Sequence, residues 1–316
     1  MRVLLLNPPG RRTYIRDYFC SKTTKSNYLF HPIDLVVLSG TLAERHETQV
    51  LDAMAEGLDE ERALRAWRGP LPDAVISLVG SVSWDEDRAF LARLARLGPR
   101  ALALGDVLQE DSETRLAEEP WLEAALHVFV NQDAVHYLEG NLAEVREMTL
   151  RRPDGRIERI RSRGKQRGSY RLAPAPRTVS RSRLSLLLRP FGALSPRRSR
   201  TTRCPYPCTF GVIGTLGFQT RPVQDVLEEL DHLRARHARG VLHGPDLRRP
   251  KPRALELCLA LERRGDLSWT AFTRPDTADD GLFAAMARAG CHTVIMGVES
   301  ADEDVLASTE RGLFRR

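Results

Sequence analysis

The sequence predicts an α/β fold in two parts, a doubly wound parallel sheet followed by a partial (βα) barrel. Three observations lead there. Short apolar runs alternate with amphipathic stretches through the first 140 residues, a Pro-, Ser- and Arg-rich interval follows, and the alternation then resumes to the end. With 316 residues, 42% of them hydrophobic, the chain can bury a sizeable core, and its length suits about two domains.

Strands are expected at 3–6, 49–52, 74–79, 101–104 and 127–130. Ser83 and Glu86 have capping-box spacing ahead of a helix that carries Phe90, Leu91, Leu94 and Leu97 and ends at Gly98-Pro99. Ligands of such sheets lie beyond the carboxyl ends of the strands. Those ends place Asn7, Asp52, Gly80, Ser81, Gly105, Asp106 and Asn131 around a candidate cofactor pocket. Residues 147–161 flank Pro153-Asp154-Gly155 and read as a hairpin.

Charge is concentrated in one interval. Residues 151–203 hold 17 Lys or Arg against Asp154 and Glu158, a net +15, so the remainder carries −9 within the total of +6. Such an interval binds nucleic acid through counterion release or lies solvated as a linker, and the linker reading is preferred. Little regular structure is expected in it. The leucines of 181–194 are expected to pack between domains rather than on a membrane surface.

After Cys208 the pattern resumes. Pro222 opens a helix with Val223, Val226, Leu227, Leu230 and Leu233 on one face; strands follow at 241–243, 269–273 and 293–296, with helices at 253–263 and 279–289, the latter closed by Gly290. Room remains for about four strand–helix units, which would leave the last strand as an open edge. The expected domains are residues 1–140, a hairpin and Arg-rich linker at 141–198, and the partial barrel at 199–316.

Five cysteines, three of them scattered at Cys20, Cys258 and Cys291, do not suggest a disulfide framework. Cys258 lies among leucines on a helix and reads as a small hydrophobe, and Cys291 precedes its strand on the far rim. No apolar run approaches the about 18 residues that a membrane span needs, and 3–6 is too short for a signal-peptide core, so a cytoplasmic location is the default expectation.

The segment Arg203-Cys204-Pro205-Tyr206-Pro207-Cys208-Thr209-Phe210-Gly211 resembles the cluster loop, C-x-x-x-C-x-aromatic-C, of radical S-adenosylmethionine enzymes. Cys204 and Cys208 match two thiolate positions and Phe210 the aromatic, whereas Gly211 stands where the third cysteine belongs. Thr220-Arg221-Pro222, the run 267–276 and Gly297-Val298-Glu299-Ser300 are similar to later parts of the same barrel. Asn7-Pro8-Pro9 and the stretch from His31-Pro32-Ile33-Asp34 to Asp52 resemble the Rossmann-like cobalamin-binding domain of one branch of that family.

The resemblance implies a 4Fe-4S cluster on Cys204 and Cys208, S-adenosylmethionine held by Phe210 and Glu299, and possible cobalamin at Asn7, Gly80, Ser81 and Gly105. It implies radical chemistry, with cobalamin-dependent methyl transfer in that branch and activity impaired by the missing cysteine. It further implies a small-molecule or lipid-like substrate and an electron donor such as ferredoxin or flavodoxin. Asp52-Ala53-Met54-Ala55-Glu56-Gly57 carries methionine where a cobalt-ligating histidine would stand. Two alternatives remain, a catalytically inactive cobalamin- or partner-binding module and a basic nucleic-acid-associated protein.

Overall fold

The structure, a computed structural model, describes residues 1–18, 21–24, 32–67, 69–161, 167–169, 218–234, 241–246, 251–277 and 279–309. The described residues up to 161 form one compact unit and those from 167 onward a second.

The first unit begins with β1 (Arg2–Asn7), a short antiparallel pair β2 (Tyr14–Ile15) and β3 (Lys22–Thr23), and α1 (Ile33–Leu42). Then come β4 (Glu47–Asp52), α2 (Glu60–Ala63), β5 (Ala74–Leu78), α3 (Trp84–Ala95), β6 (Arg100–Leu104), α4 (Val107–Glu118) and β7 (Leu122–Leu126). It closes with α5 (Asp133–Leu138) and the hairpin β8 (Met148–Arg151) and β9 (Ile157–Ile160). Seven strands make one sheet in the order β4-β1-β5-β6-β7-β8-β9, parallel from β4 to β7 and antiparallel in the last three.

Burial explains the strand spacing. All five residues of β5 are buried between β1 and β6, as expected for a central strand covered on both faces. α3 turns Phe90, Leu91 and Leu94 onto the sheet. Each such side chain contributes about 1.5–3 kcal/mol on leaving water.

Three expectations are corrected. The fifth parallel strand is Leu122–Leu126 and not 127–130. Glu123 made the earlier stretch look polar, but its carboxylate accepts from Arg100 Nε on the neighbouring strand at 2.8 Å, so the strand accommodates it. Ser83 makes no side-chain cap on α3; its hydroxyl donates to Asp87 at 2.7 Å instead. Arg167–Ser169, inside the interval expected to lack regular structure, is a strand, β10.

In the second unit β10 pairs in parallel with β11 (Phe218–Thr220). Thereafter α6 (Val223–Arg234), β12 (Val241–Asp246), α7 (Lys251–Arg264), β13 (Ser268–Thr273), α8 (Asp280–Arg288), β14 (Cys291–Met296) and α9 (Glu303–Ser308) alternate. β12, β13 and β14 form a parallel sheet in chain order. Leu257, Cys258 and Leu261 of α7 and Leu282 and Met286 of α8 pack with Trp269, whose indole N–H donates to the Ala289 carbonyl at 2.7 Å. Gly290 ends α8 at φ 87, the left-handed cap that glycine adopts without a Cβ penalty. β14 pairs on one side only among the described residues, and Ile295, Met296 and Val298 are each more than 40% exposed. No described helix is long and apolar enough to cross a membrane.

Candidate functional site

Numbered by their order along the chain, the five parallel strands of the first unit run second, first, third, fourth, fifth across the sheet. Their connections therefore diverge between β1 and β5. In open α/β sheets that divergence opens a crevice beyond the carboxyl ends of the strands, which is where ligands bind.

Arg16 fills this crevice. Its Nη1 donates to Asn7 Oδ1 at 3.2 Å and to the Pro8 carbonyl at 2.9 Å, and its Nη2 donates to the Pro9 carbonyl at 3.1 Å. Nη2 also lies 2.7 Å from Asp87 Oδ1, and Nε donates to Ser83 Oγ at 3.1 Å. Asp87 further accepts from Ser83 Oγ and, at 3.0 Å, from the Gly80 amide. Burial pushes the Asp87 carboxyl up from its ordinary value, against the pull of the guanidinium and of these donors.

Next to it, Asn7 Nδ2 donates to Asp52 Oδ1 at 2.8 Å, and the Ala55 amide donates to the same oxygen. Burial raises the Asp52 carboxyl to about 6 despite both bonds. Asn7 is thus held between a cation and a weakly acidic carboxyl at the tip of β1.

The far half of the rim is organised by Asp106, which follows β6. Its carboxylate accepts from the Ser81 amide at 2.8 Å and hydroxyl at 2.9 Å, and from the Ser21 amide at 2.7 Å and hydroxyl at 2.9 Å. The two hydroxyls lie 3.1 Å apart. Gly105 turns the chain there at φ 155, and a Cβ on it would fall 1.7 Å from the Val79 carbonyl, so only glycine allows β6 to end against β5 this closely.

Tyr18 stacks edge-on against Phe129, 5.4 Å between centroids, and its amide donates to Asp34 at 2.8 Å. Burial first, then the charge of Asp17, raises the Asp34 carboxyl to about 8. His127, one residue past β7, shares a buried cluster with Thr149 at 2.9 Å and Ser112; burial holds its imidazole neutral, down at about 3.

Asn7, Gly80, Ser81 and Gly105, expected from the sequence as cofactor contacts, therefore stand along one rim. Arg16, Ser21 and Asp87, which complete its network, were not anticipated. One signal was available for Asp87, a carboxylate on the apolar face of a helix that must bury it, which demands a buried cation.

Glu299 lies in the second unit beyond β14. It has φ 67, and the Ser300 amide donates across it to the Val298 carbonyl at 2.9 Å, a γ-turn in its strained form. Cys204, Cys208, Phe210 and Gly211 lie outside the described residues, as does Cys20. Among the described residues no group of three or more His, Cys, Asp or Glu is placed to hold a metal ion. Cys258 is fully buried in α7 and Cys291 begins β14, so neither lies at the carboxyl ends of the parallel strands β12 to β14.

No protein-family model matches the chain. Over 131 residues it is 33% identical to an uncharacterized methyltransferase, PH0819, of Pyrococcus horikoshii, a match covering 39% of this chain and 28% of that protein. Two solved structures are similar over 98% of the chain. Both are of the radical S-adenosylmethionine methyltransferase TsrM from Kitasatospora setae. One, with cobalamin and a 4Fe-4S cluster bound, has a TM-score of 0.73 at 17% identity. The other, with tryptophan substrate and the analogue aza-SAM, has a TM-score of 0.72 at 18% identity.

The chain shares the fold of TsrM. It spans 63% and 61% of the two TsrM chains, and less than a third of the Pyrococcus protein. The α/β architecture, a parallel-sheet unit followed by parallel strand–helix units, is the one read from the sequence.

Proposed function

We propose that this chain is a cobalamin-binding protein of the radical S-adenosylmethionine type, related to methyltransferases, in which cluster assembly is impaired. One observation carries the reading: the likeness to TsrM extends over 98% of the chain, through both the sheet unit and the strand–helix unit. The 33% identity to PH0819 supports it independently.

The sheet unit suits a ligand rich in amide groups. Ser81 presents an exposed hydroxyl at the tip of β5, and Gly80 and Gly105 keep side chains out of the way at the ends of β5 and β6. Cobalamin, when bound, supplies a cobalt centre able to carry a methyl group. Met54 stands where a histidine ligand would, so cobalamin would be held there without an imidazole from that position. The ligand is held by hydroxyl and backbone groups instead.

The cluster loop does not fit its group in the same way. Cys204 and Cys208 supply two soft thiolates, but glycine at 211 supplies none, and a cuboidal cluster with one open iron needs three protein ligands. No step is assigned to a cluster in this chain. Phe210 would pack on the adenine of S-adenosylmethionine, and the strained turn at Glu299 would present a carboxylate to its charged end. A small-molecule or lipid-like substrate, an electron donor of the ferredoxin or flavodoxin class and a cytoplasmic setting belong to the same proposal; a nucleic-acid partner does not.

Gly211 also favours a second reading, a binding module that has given up radical chemistry. The test is anaerobic reconstitution followed by iron and sulfide counts, with hydroxocobalamin binding followed by visible absorbance. The expected result is bound cobalamin, little iron in the native chain, and a cluster gained in Gly211→Cys. Full iron in the native chain overturns the impaired-cluster reading; absence of cobalamin binding overturns the cofactor assignment. Iron missing even from Gly211→Cys decides for the binding module.

A further inference from the structure

We propose that the first unit carries a phosphate-class oxyanion site beyond the end of β7, with His127, Arg159 and Gln109 as its donors. The site is separate from the crevice between β1 and β5. Its geometry does not depend on the function proposed above; only the identification of the anion with the phosphodiester of bound cobalamin rests on that reading.

Sheet register brings the donors together. Ala125 of β7 stands opposite Thr149 of β8, which stands opposite Arg159 of β9. The His127 amide donates to the Glu147 carbonyl past the last pair, so the ladder continues and His127 projects from the same face as Ala125, two residues earlier. α4 packs over this face of β7, β8 and β9. Its Ser112 hydroxyl lies 2.7 Å from Thr149 Oγ1 and 3.4 Å from His127 Nε2, and Thr149 Oγ1 lies 2.9 Å from the same nitrogen. The helix is broken within this contact. Asp111 departs from helical backbone at φ −133 and ψ 45, and the carbonyl of Gln109, two residues before it, accepts from Arg159 Nη2 at 2.9 Å.

Three nitrogens flanking this contact are shielded from solvent and have no hydrogen-bond partner among the described residues: His127 Nδ1, Gln109 Nε2 and Arg159 Nε. The last two can only donate, and the imidazole Nδ1 donates when Nε2 accepts from Thr149. Buried donors without acceptors are costly, and an acceptor-rich guest removes that cost. Charge selects the guest. After burial itself, the charges of Arg159 and Arg161 hold the His127 imidazole neutral. Glu113, 3.8 Å from Arg159, has a side chain more than half exposed and screens that charge weakly. Three donors outnumber the two oxygens of a carboxylate and match a tetrahedral oxyanion. Arg159 is partly exposed and Arg161 exposed, so an anion arrives along a basic flank, with His127, only 7% exposed, as the floor.

The test is NMR of the His127 imidazole, assigned through its backbone, on the full chain at a single pH and constant ionic strength. Inorganic phosphate should shift this resonance with saturation, and acetate should not. Binding should weaken by about tenfold or more in Arg159→Gln, the loss expected for one charge-assisted hydrogen bond, and weaken also in Gln109→Leu, which serves should the first variant not fold. An equal response to acetate, or unchanged affinity in the variants, overturns the site. A second arm compares hydroxocobalamin, which carries a phosphodiester, with cobinamide, which lacks it. A shift with hydroxocobalamin and not with cobinamide supports the esterified source even where inorganic phosphate is silent, and equal shifts overturn that source. No shift with inorganic phosphate or with hydroxocobalamin overturns the proposal and leaves the three donors to water. If phosphate binds and visible absorbance shows no hydroxocobalamin on the chain, the cofactor reading falls and the oxyanion site stands.

Discussion

Arg16 and Asp87 meet with neither side chain reaching solvent, the guanidinium Nη2 2.7 Å from the carboxylate Oδ1. Seventy-one residues apart in sequence, they tie the segment after β1 to the first turn of α3. Three backbone and side-chain oxygens besides Asp87 and Ser83 take the remaining guanidinium donors, which is what makes so buried a cation tolerable.

Removing one partner of this pair leaves the other charged and unmatched. Arg16→Met is expected to cost about 3–5 kcal/mol in urea unfolding, and the double variant Arg16→Met with Asp87→Leu should recover a large part of that loss. Equal destabilisation in single and double variants would show that the pair is not coupled.

The pH dependence of stability has opposing contributions. Asp34 holds its proton in the folded chain up to about 8, against an ordinary 3.8, so its contribution is complete at low pH and disappears as pH rises through 8. His127 has the reverse sign: its folded value near 3 lies below 6.5, so stability is lost as pH falls from 6.5 toward 3. Asp52, raised to about 6, adds to the Asp34 trend only at the acid end. Between pH 6.5 and 8 the slope should therefore be downward, at most about 1.4 kcal/mol per pH unit for one group. Asp34→Asn keeps an acceptor for the Tyr18 amide and should flatten that interval in denaturant titrations run at successive pH values.

Gly105→Ala places a methyl group against the Val79 carbonyl at a φ that side chains avoid. The expected cost is at least about 2–3 kcal/mol, together with loss of hydroxocobalamin binding, because β6 cannot end where Ser81 and Asp106 require. Thermal unfolding followed by circular dichroism measures the first part. A melting temperature unchanged from the native chain would refute the close approach.

In the second unit, Trp269→Phe removes the indole donor to the Ala289 carbonyl while keeping an aromatic ring in the core. A loss of about 1–3 kcal/mol is expected, the penalty for leaving a buried carbonyl unpaired. Exchange of the β13 amides, compared between the two chains, localises the effect.

The sequence made the periodic elements readable and left the compensated ones hidden. β5 and α3 announce themselves because burial falls on a continuous apolar run in one and on a helical face in the other. α1 did not, since nine of its ten residues are buried, Asp34, Ser39 and Thr41 among them, and a helix enclosed on all sides has no apolar stripe to detect. β7 was displaced by one strand's length because Glu123 is neutralised from a neighbouring strand, which no local pattern records. The rim glycines and Asn7 were legible from strand ends alone; Arg16 and Ser21 were not, because the partners that place them on the rim, Asp87 for Arg16 and Ser81 and Asp106 for Ser21, lie sixty or more residues away in sequence.

β14 sets a practical constraint on handling the protein. Its outer flank offers a row of peptide groups without strand partners among the described residues, next to the oily side chains of Ile295, Met296 and Val298. Such a flank recruits further molecules edge to edge, so recovery from denaturant should decline steeply as protein concentration increases. A lysine introduced at position 295 should lift that yield and leave the melting temperature of the first unit untouched.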